Sequence, residues 1–474
     1  MIKYFITFEN PIFWIVVHLL LGLISIFTPF VLIGWFYLVL LSSLFILLRP
    51  NAPASLYISL ILYVISSEII ARMAGASPFI PYEMGKYLLF LLLIGGIFKY
   101  RTTEWPAFWM VIFLIPGLLI EKSGEVSFLD IMFNFMGPLN AALAILFFRG
   151  KTVSKSMMLH YLRLMIYPMV AVFSYAIFRT PDIEEVEFSL SANSAAAGGF
   201  GSNQVSTGLG LAAFFVFIFW INRWRLTGFR WLDALILILF TVQGLLTFSR
   251  GGMMTGFLGV FVVLYYLRTA SKIQITKYRL VRIGKYLIPA FVLILGSFFV
   301  VNRITNGMLF LRYQGETAGS YAGTKEKDLN LITSGRLDIF LGDLELWADH
   351  PVTGVGVAAS RYLRERMTGV VAHVELSRLF AEHGLFGLAY FILLSYYGFK
   401  VVRSSPNPAL SGLLFALFAV GLFTSFHAAM RTFVSPLMIG LSMLRISDPQ
   451  QTKQPEKKDN QTFTPILVEG EDKK

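Results

Sequence analysis

Long apolar runs separated by short polar breaks organise the chain. A helix needs about 20 consecutive apolar residues to cross the hydrocarbon core of a bilayer, and about fourteen candidate runs follow one another here. They begin near Ile12, Val31, Pro53, Met84, Trp105, Val126, Leu159, Val205, Trp231, Gly251, Tyr286, Leu385, Pro408 and Met430. Breaks at Thr28-Pro29 and at Ser249-Arg250-Gly251-Gly252 each read either as a boundary between spans or as a kink inside one run. The pattern predicts an all-α polytopic membrane protein with about 12–14 transmembrane helices. The first run is followed at once by another and carries no small-residue cleavage site, so it is expected to be an anchor, with the whole chain kept as the mature protein.

One polar stretch of about 80 residues, from Asn302 to His383, interrupts the apolar pattern and is expected to fold as a helical cap. Ser334 is a candidate N-cap, after which Leu337, Phe340, Leu341, Leu344 and Trp347 recur at helical spacing. His350-Pro351 ends that helix, because proline disfavours helical geometry in the residue before it. Gly354-Val355-Gly356 makes a turn, a second helical pattern carries Arg361, Arg364 and Arg366, and a third runs from Ala372 to Glu382 into the next span. The organisation is thus a membrane domain over residues 1–446, including the loop 302–383, and a polar tail over 447–474 expected to be disordered and cytoplasmic. The loop from Arg179 to Gln204, acidic and then rich in Ser, Ala and Gly, is expected to be mobile.

Composition excludes a soluble protein, with 56% hydrophobic and 14% charged residues. The net charge of +12 does not call for nucleic acid. Its Lys and Arg residues (Lys99, Arg101; Arg149, Lys151, Lys155; Arg223, Arg225, Arg230; Arg268 to Lys285; Lys400, Arg403) fall in alternate short loops, the positive-inside pattern, which puts both termini in the cytoplasm and the polar loop outside. With no cysteine there is neither a disulfide framework nor a thiolate metal site, and the histidines show no metal-binding spacing, so no metal or other cofactor is expected.

Chemistry in such a chain is expected in the outer polar loop. Arg250 lies at an outer boundary between two apolar runs, where an unpaired guanidinium is costly unless it meets an anion or water; an arginine that snorkels to the headgroups is the bland alternative. Gly251 and Gly252 beside it permit close backbone approach by a ligand. Arg336 is the second candidate, with surface charge as its alternative; two arginines on one site would clamp a diphosphate, since the guanidinium fork matches phosphate oxygens. His373, with Glu375 and Arg378 near it, suits a general base near neutral pH. His350 and His383 read as helix-end residues, and His18, His160 and His427 have no assigned role.

The motifs Phe248-Ser249-Arg250-Gly251-Gly252, Thr333-Ser334-Gly335-Arg336, His350-Pro351-Val352-Thr353-Gly354-Val355-Gly356, His373-Val374-Glu375 and Ala381-Glu382-His383-Gly384-Leu385-Phe386-Gly387, in this order, resemble the O-antigen ligase and O-antigen polymerase superfamily over the second half of the chain. The resemblance implies a bacterial inner-membrane glycosyltransferase acting on the periplasmic face without a metal. Its donor would be a glycan on undecaprenyl diphosphate and its acceptor a sugar hydroxyl, of lipid A-core in the ligases. Carried over, Arg250 and an outer-loop arginine, chosen as Arg336 over Arg303, Arg312 and Arg361, hold the diphosphate, and His373 deprotonates the acceptor. Val374 departs from the commoner ligase pattern, in which a polar residue follows the histidine. A polymerase joining lipid-linked repeats is the alternative within the superfamily; a transporter, suggested by Glu68, Asp130, Asn134 and Asp233 inside apolar runs, is the alternative outside it.

Overall fold

A computed structural model describes residues 10–447, apart from 183, 184, 223, 279, 403, 404, 406, 429 and 431 and the side chains of 281–284. The tail expected beyond residue 447 lies outside the described residues. Most of the described residues are helical: α1 (Pro11–Phe27), α2 (Phe30–Leu48), α3 (Ala54–Ser66), α4 (Glu68–Met73), α5 (Met84–Tyr100), α6 (Trp105–Leu114), α7 (Phe128–Phe148), α8 (Lys155–Arg179), α9 (Ser202–Ile221), α10 (Arg230–Leu246) and α11 (Arg250–Arg268). There follow α12 (Lys272–Lys277), α13 (Val281–Ile304), α14 (Met308–Tyr313), α15 (Ala318–Tyr321), α16 (Leu329–Ile332), α17 (Arg336–Asp349), α18 (Ser360–Leu363), α19 (Glu375–His383), α20 (Leu385–Val402), α21 (Pro408–His427) and α22 (Val434–Ser442).

Each apolar run read from the sequence coincides with one of these helices, but not every helix can cross a bilayer. Among the described residues, 9 are long and apolar enough, with Ala54–Met73 counted as one. Helix α6 has 10 residues and α22 has 9, a rise of only about 15 Å at 1.5 Å per residue. Of the expected 12–14 spans, 9 are thus present as helices long and apolar enough among the described residues; α1, α5 and α10 follow at 17 residues each, while the runs at α6 and α22 are divided between a short helix and a turn. Both breaks left open by the pattern are real boundaries: α1 ends before Thr28-Pro29, and α10 ends before Ser249.

The loops rich in Lys and Arg meet on one face. Lys99 Nζ donates to the carbonyls of Leu47 (2.7 Å) and Arg49 (2.6 Å), Arg163 donates to Arg225 O (2.8 Å), and Tyr266 donates to Val402 O (3.0 Å). A two-stranded parallel pair, β1 (Thr152–Ser154) with β2 (Arg445–Ser447), joins the last described residues to that face. On the opposite face lie the loop 179–204 and the polar stretch, tied together where Arg312 donates to Leu190 O (2.9 Å). Residues 185–204, expected to be mobile, make specific contacts: Asn193 N donates to Thr247 O (2.8 Å) and Gln243 to Ala196 O (2.7 Å).

Within the polar stretch, α17, α18 and α19 occupy the three predicted helical patterns, though α18 has only 4 residues. Ser334 is not the N-cap. It has φ 57°, and Gly335 at φ 80° takes the cap position, which frees the Ser334 hydroxyl for another partner. The Gly354 and Gly356 turn has φ +68° and +98°, and it presses the cap onto the α6 end through Val357 N to Gly117 O (2.9 Å) and Lys122 N to Val355 O (3.2 Å).

Helices α9 and α11 form the frame under the polar face. Small residues let backbones approach in a membrane bundle, where association rests on van der Waals contact. A Cβ on Gly210 would sit 2.8 Å from Gly252 O, one on Gly252 would sit 2.6 Å from Thr207 N, and one on Gly256 would overlap the Gly210 carbonyl.

Candidate functional site

The α10–α11 break positions the site. Phe248 adopts φ 56°, and Ser249 is held by Thr247 Oγ1 (3.3 Å) and Asn203 Oδ1 (3.1 Å), so α11 starts with Arg250 at the polar face. The Arg250 guanidinium reaches into the cap and donates to Arg312 O (3.1 Å), Ile332 O (2.8 Å) and Ser334 Oγ (3.3 Å). Arg336, first residue of α17, donates to Thr333 O (2.9 Å) and His427 O (3.3 Å). The structure thus brings together the two arginines chosen from the sequence, and it adds Arg312, which donates to Leu190 O (2.9 Å) and Phe248 O (3.5 Å).

Every hydrogen-bond acceptor in this cluster is neutral, and among the described residues none of the three arginines joins an ion pair. Burial, with Arg250 and Arg336 nearby, lowers the Arg312 guanidinium to about 10, and burial and Arg250 lower Arg336. Tyr313 packs beside them; burial raises its phenol above the ordinary range, while Arg250 and Arg312 oppose the rise. Its hydroxyl and the Arg336 Nε are buried with no hydrogen-bond partner among the described residues. Three half-buried cations held by carbonyl dipoles, with donors to spare, are complementary to a polyanion bearing several oxygens.

Gly251, Gly252, Glu375 and Arg378 do other work. Gly251 and Gly252 do not open the backbone to a ligand: a Cβ on Gly251 would sit 2.6 Å from the His427 ring and one on Gly252 would meet Thr207 N, so both serve helix packing. Glu375 and Arg378 pair with each other in a buried network. Arg378 also donates to Asn134 O (3.0 Å) and Oδ1, and Glu375 accepts from Met430 N (2.9 Å), which commits both to holding α19 against α7 rather than to the arginine cluster. Asp343, Arg364, Ser377 and Glu382 extend this network. His373 lies half-buried in the bend before α19, two residues ahead of Glu375. His350 ends α17, and His383 packs against Gly117, where a Cβ would meet its ring.

Sequence reasoning passed over His427. Its carbonyl receives Arg336, its ring abuts Gly251, Nδ1 faces Phe423 O (3.2 Å) and Nε2 faces Thr207 Oγ1 (3.5 Å). Only its place at the polar end of a span could have pointed to it.

Among the described residues no group of 3 or more His, Asp or Glu side chains is placed to hold a metal ion. Neither a scan against protein-family models nor a search of curated proteins found a match to the chain.

Proposed function

We propose that the chain is a metal-independent, inverting membrane glycosyltransferase of the O-antigen ligase type. In this reading it sits in a bacterial inner membrane with both termini in the cytoplasm and transfers a glycan from undecaprenyl diphosphate to a sugar hydroxyl of lipid A-core or a similar acceptor on the periplasmic face. The observation that carries the reading is the Arg250, Arg312 and Arg336 cluster, which has no carboxylate partner among the described residues and lies at the end of the α9–α11 frame.

Attack by the acceptor oxygen at the anomeric carbon forms the new C–O bond as the bond to the diphosphate breaks. The electron pair leaves on the diphosphate oxygen, where guanidinium donors stabilise the growing charge; losing one such donor typically costs about 2.7–4 kcal/mol of barrier. His373 takes the acceptor proton, imidazole being the side-chain type suited to general-base work near neutral pH. A polymerase joining lipid-linked repeats uses the same site and differs only in the acceptor.

The test is the surface-glycan profile of a deletion strain complemented with the wild type, Arg250→Ala or His373→Ala. Glycan stranded on the carrier lipid in both variants is expected. A shift to single attached repeats indicates the polymerase, and a normal profile from both variants refutes the assignment.

A further inference from the structure

The charge of the arginine cluster can be counted against the two diphosphates that glycosyl transfer presents to it. The loaded donor is a diphosphate diester carrying two negative charges. When the anomeric C–O bond breaks, its electron pair stays on the bridging oxygen, the acceptor oxygen takes the sugar, and the acceptor proton passes to the base. The spent carrier is then a diphosphate monoester whose terminal phosphate loses its last proton above a pH of about 6, giving it a third negative charge.

Arg250 and Arg336 converge on one turn: Arg250 binds Ile332 O and Ser334 Oγ, and Arg336 binds Thr333 O. Arg312 comes from a separate helix, α14, anchored through Leu190 O, and its own backbone carbonyl receives Arg250. It brings the third positive charge together with the partnerless buried hydroxyl of Tyr313. No carboxylate among the described residues pairs with any of the three, so a dianion leaves one guanidinium uncompensated in a half-buried setting, where charge is poorly screened, and a trianion does not.

We propose, building on the carrier-lipid reading above, that this site prefers the spent carrier, a polyprenyl diphosphate with a free terminal phosphate, over the loaded diester, and that Arg312 supplies the preference. Arg312 thereby acts on charge that appears only as the bond breaks, and the same complementarity makes the released carrier slow to leave.

The experiment measures binding of undecaprenyl diphosphate and of its terminal methyl ester, which stands in for the loaded diester, to the full chain in lipid nanodiscs. Measurements are made above and below the terminal phosphate's last ionisation, for wild type, Arg312→Gln and Arg312→Lys. The expected result is at least tenfold tighter binding of the free diphosphate by wild type at the higher pH. That preference collapses at the lower pH, where both lipids carry two charges, and it is lost in Arg312→Gln but retained in Arg312→Lys. Equal binding of the two lipids by wild type, or a preference unchanged in Arg312→Gln, overturns the proposal while leaving the carrier-lipid reading standing. Equal loss in the Gln and Lys variants assigns Arg312 an anchoring role and also overturns it. Failure of wild type to bind either lipid removes the carrier-lipid reading itself.

Discussion

Replacing Gly256 with alanine tests whether the α9–α11 seam sets the position of Arg250. The added Cβ would overlap the Gly210 carbonyl, 2.8 Å from its carbon and 3.2 Å from Cα, and the obstacle is backbone, which cannot rotate away. Carbon pairs rest at about 3.5–4.0 Å, so the helices must separate by about 1 Å. Overpacking of this kind costs about 1–3 kcal/mol. Arg250 lies six positions earlier on the same helix, about 9 Å along its axis, and a misplacement of about 1 Å at a preorganised site costs on the order of 100-fold. Gly34→Ala and Gly296→Ala are the controls, because nothing lies within 4 Å of a Cβ at either position. Unfolding in mixed micelles and binding of undecaprenyl diphosphate are measured on all three. The expected result is a loss of stability and of lipid binding in Gly256→Ala alone; equal stability of Gly256→Ala and Gly296→Ala refutes the argument.

Breaking the Glu375–Arg378 pair leaves a buried charge uncompensated, so Arg378→Met is expected to cost about 3–5 kcal/mol in thermal or chemical unfolding. A loss below about 1 kcal/mol would show that the pair does not hold α19 on α7. Burial raises Glu382 to about 7 and Asp343 to about 6, against ordinary values of 4.5 and 3.8. Both carboxyls therefore bind protons more tightly folded than unfolded, and stability is highest below the unfolded values and falls as pH rises from about 4 to about 7. Glu382→Gln is expected to flatten the larger part of that slope; unfolding curves across this window that are identical in shape for variant and wild type would contradict the assignment.

Helix positions were legible because a chain in lipid must satisfy its backbone internally, so each apolar run had to be helical. Helix lengths were not, because runs apolar on every side carry no periodicity to mark where α6 yields to the Pro116 turn or where α22 begins. Arg250 could be chosen from a local signal, a charge between two apolar runs, and Arg336 from the resemblance of Thr333-Ser334-Gly335-Arg336 to a family motif. Arg312 had no such mark among the loop arginines. Its selection depends on Leu190, 122 residues away, and on Phe248, and contacts at that separation leave no local pattern. Gly251-Gly252 shows the converse failure: the same residues admit a ligand or a neighbouring helix, and here His427, Ser206 and Thr207 fill the space.

Of the polar groups that suggested transport, Glu68 has a different explanation in the turn between α21 and α22, and Asp130 and Asp233 have theirs in other partners. Backbone groups at such a break need partners, and in an apolar surrounding each unsatisfied one is costly. Phe433 N donates to Glu68 Oε2 (3.1 Å), Met430 N to Glu375 Oε2 (2.9 Å), and His427 O accepts from Arg336 (3.3 Å). Glu68 is in turn paired with Arg72, Lys86 with Glu83 (2.7 Å), and Asp130 with Arg361 (2.8 Å). Asp233 spends its oxygens on Leu226 N (3.1 Å) and Thr227 N (2.9 Å). Each of these carboxylates is thus committed to a cation or to a turn, as fold-holding charges are. The three clustered arginines differ because their charge meets only neutral acceptors, and an uncompensated charge, rather than a charge as such, is the feature that calls for a ligand.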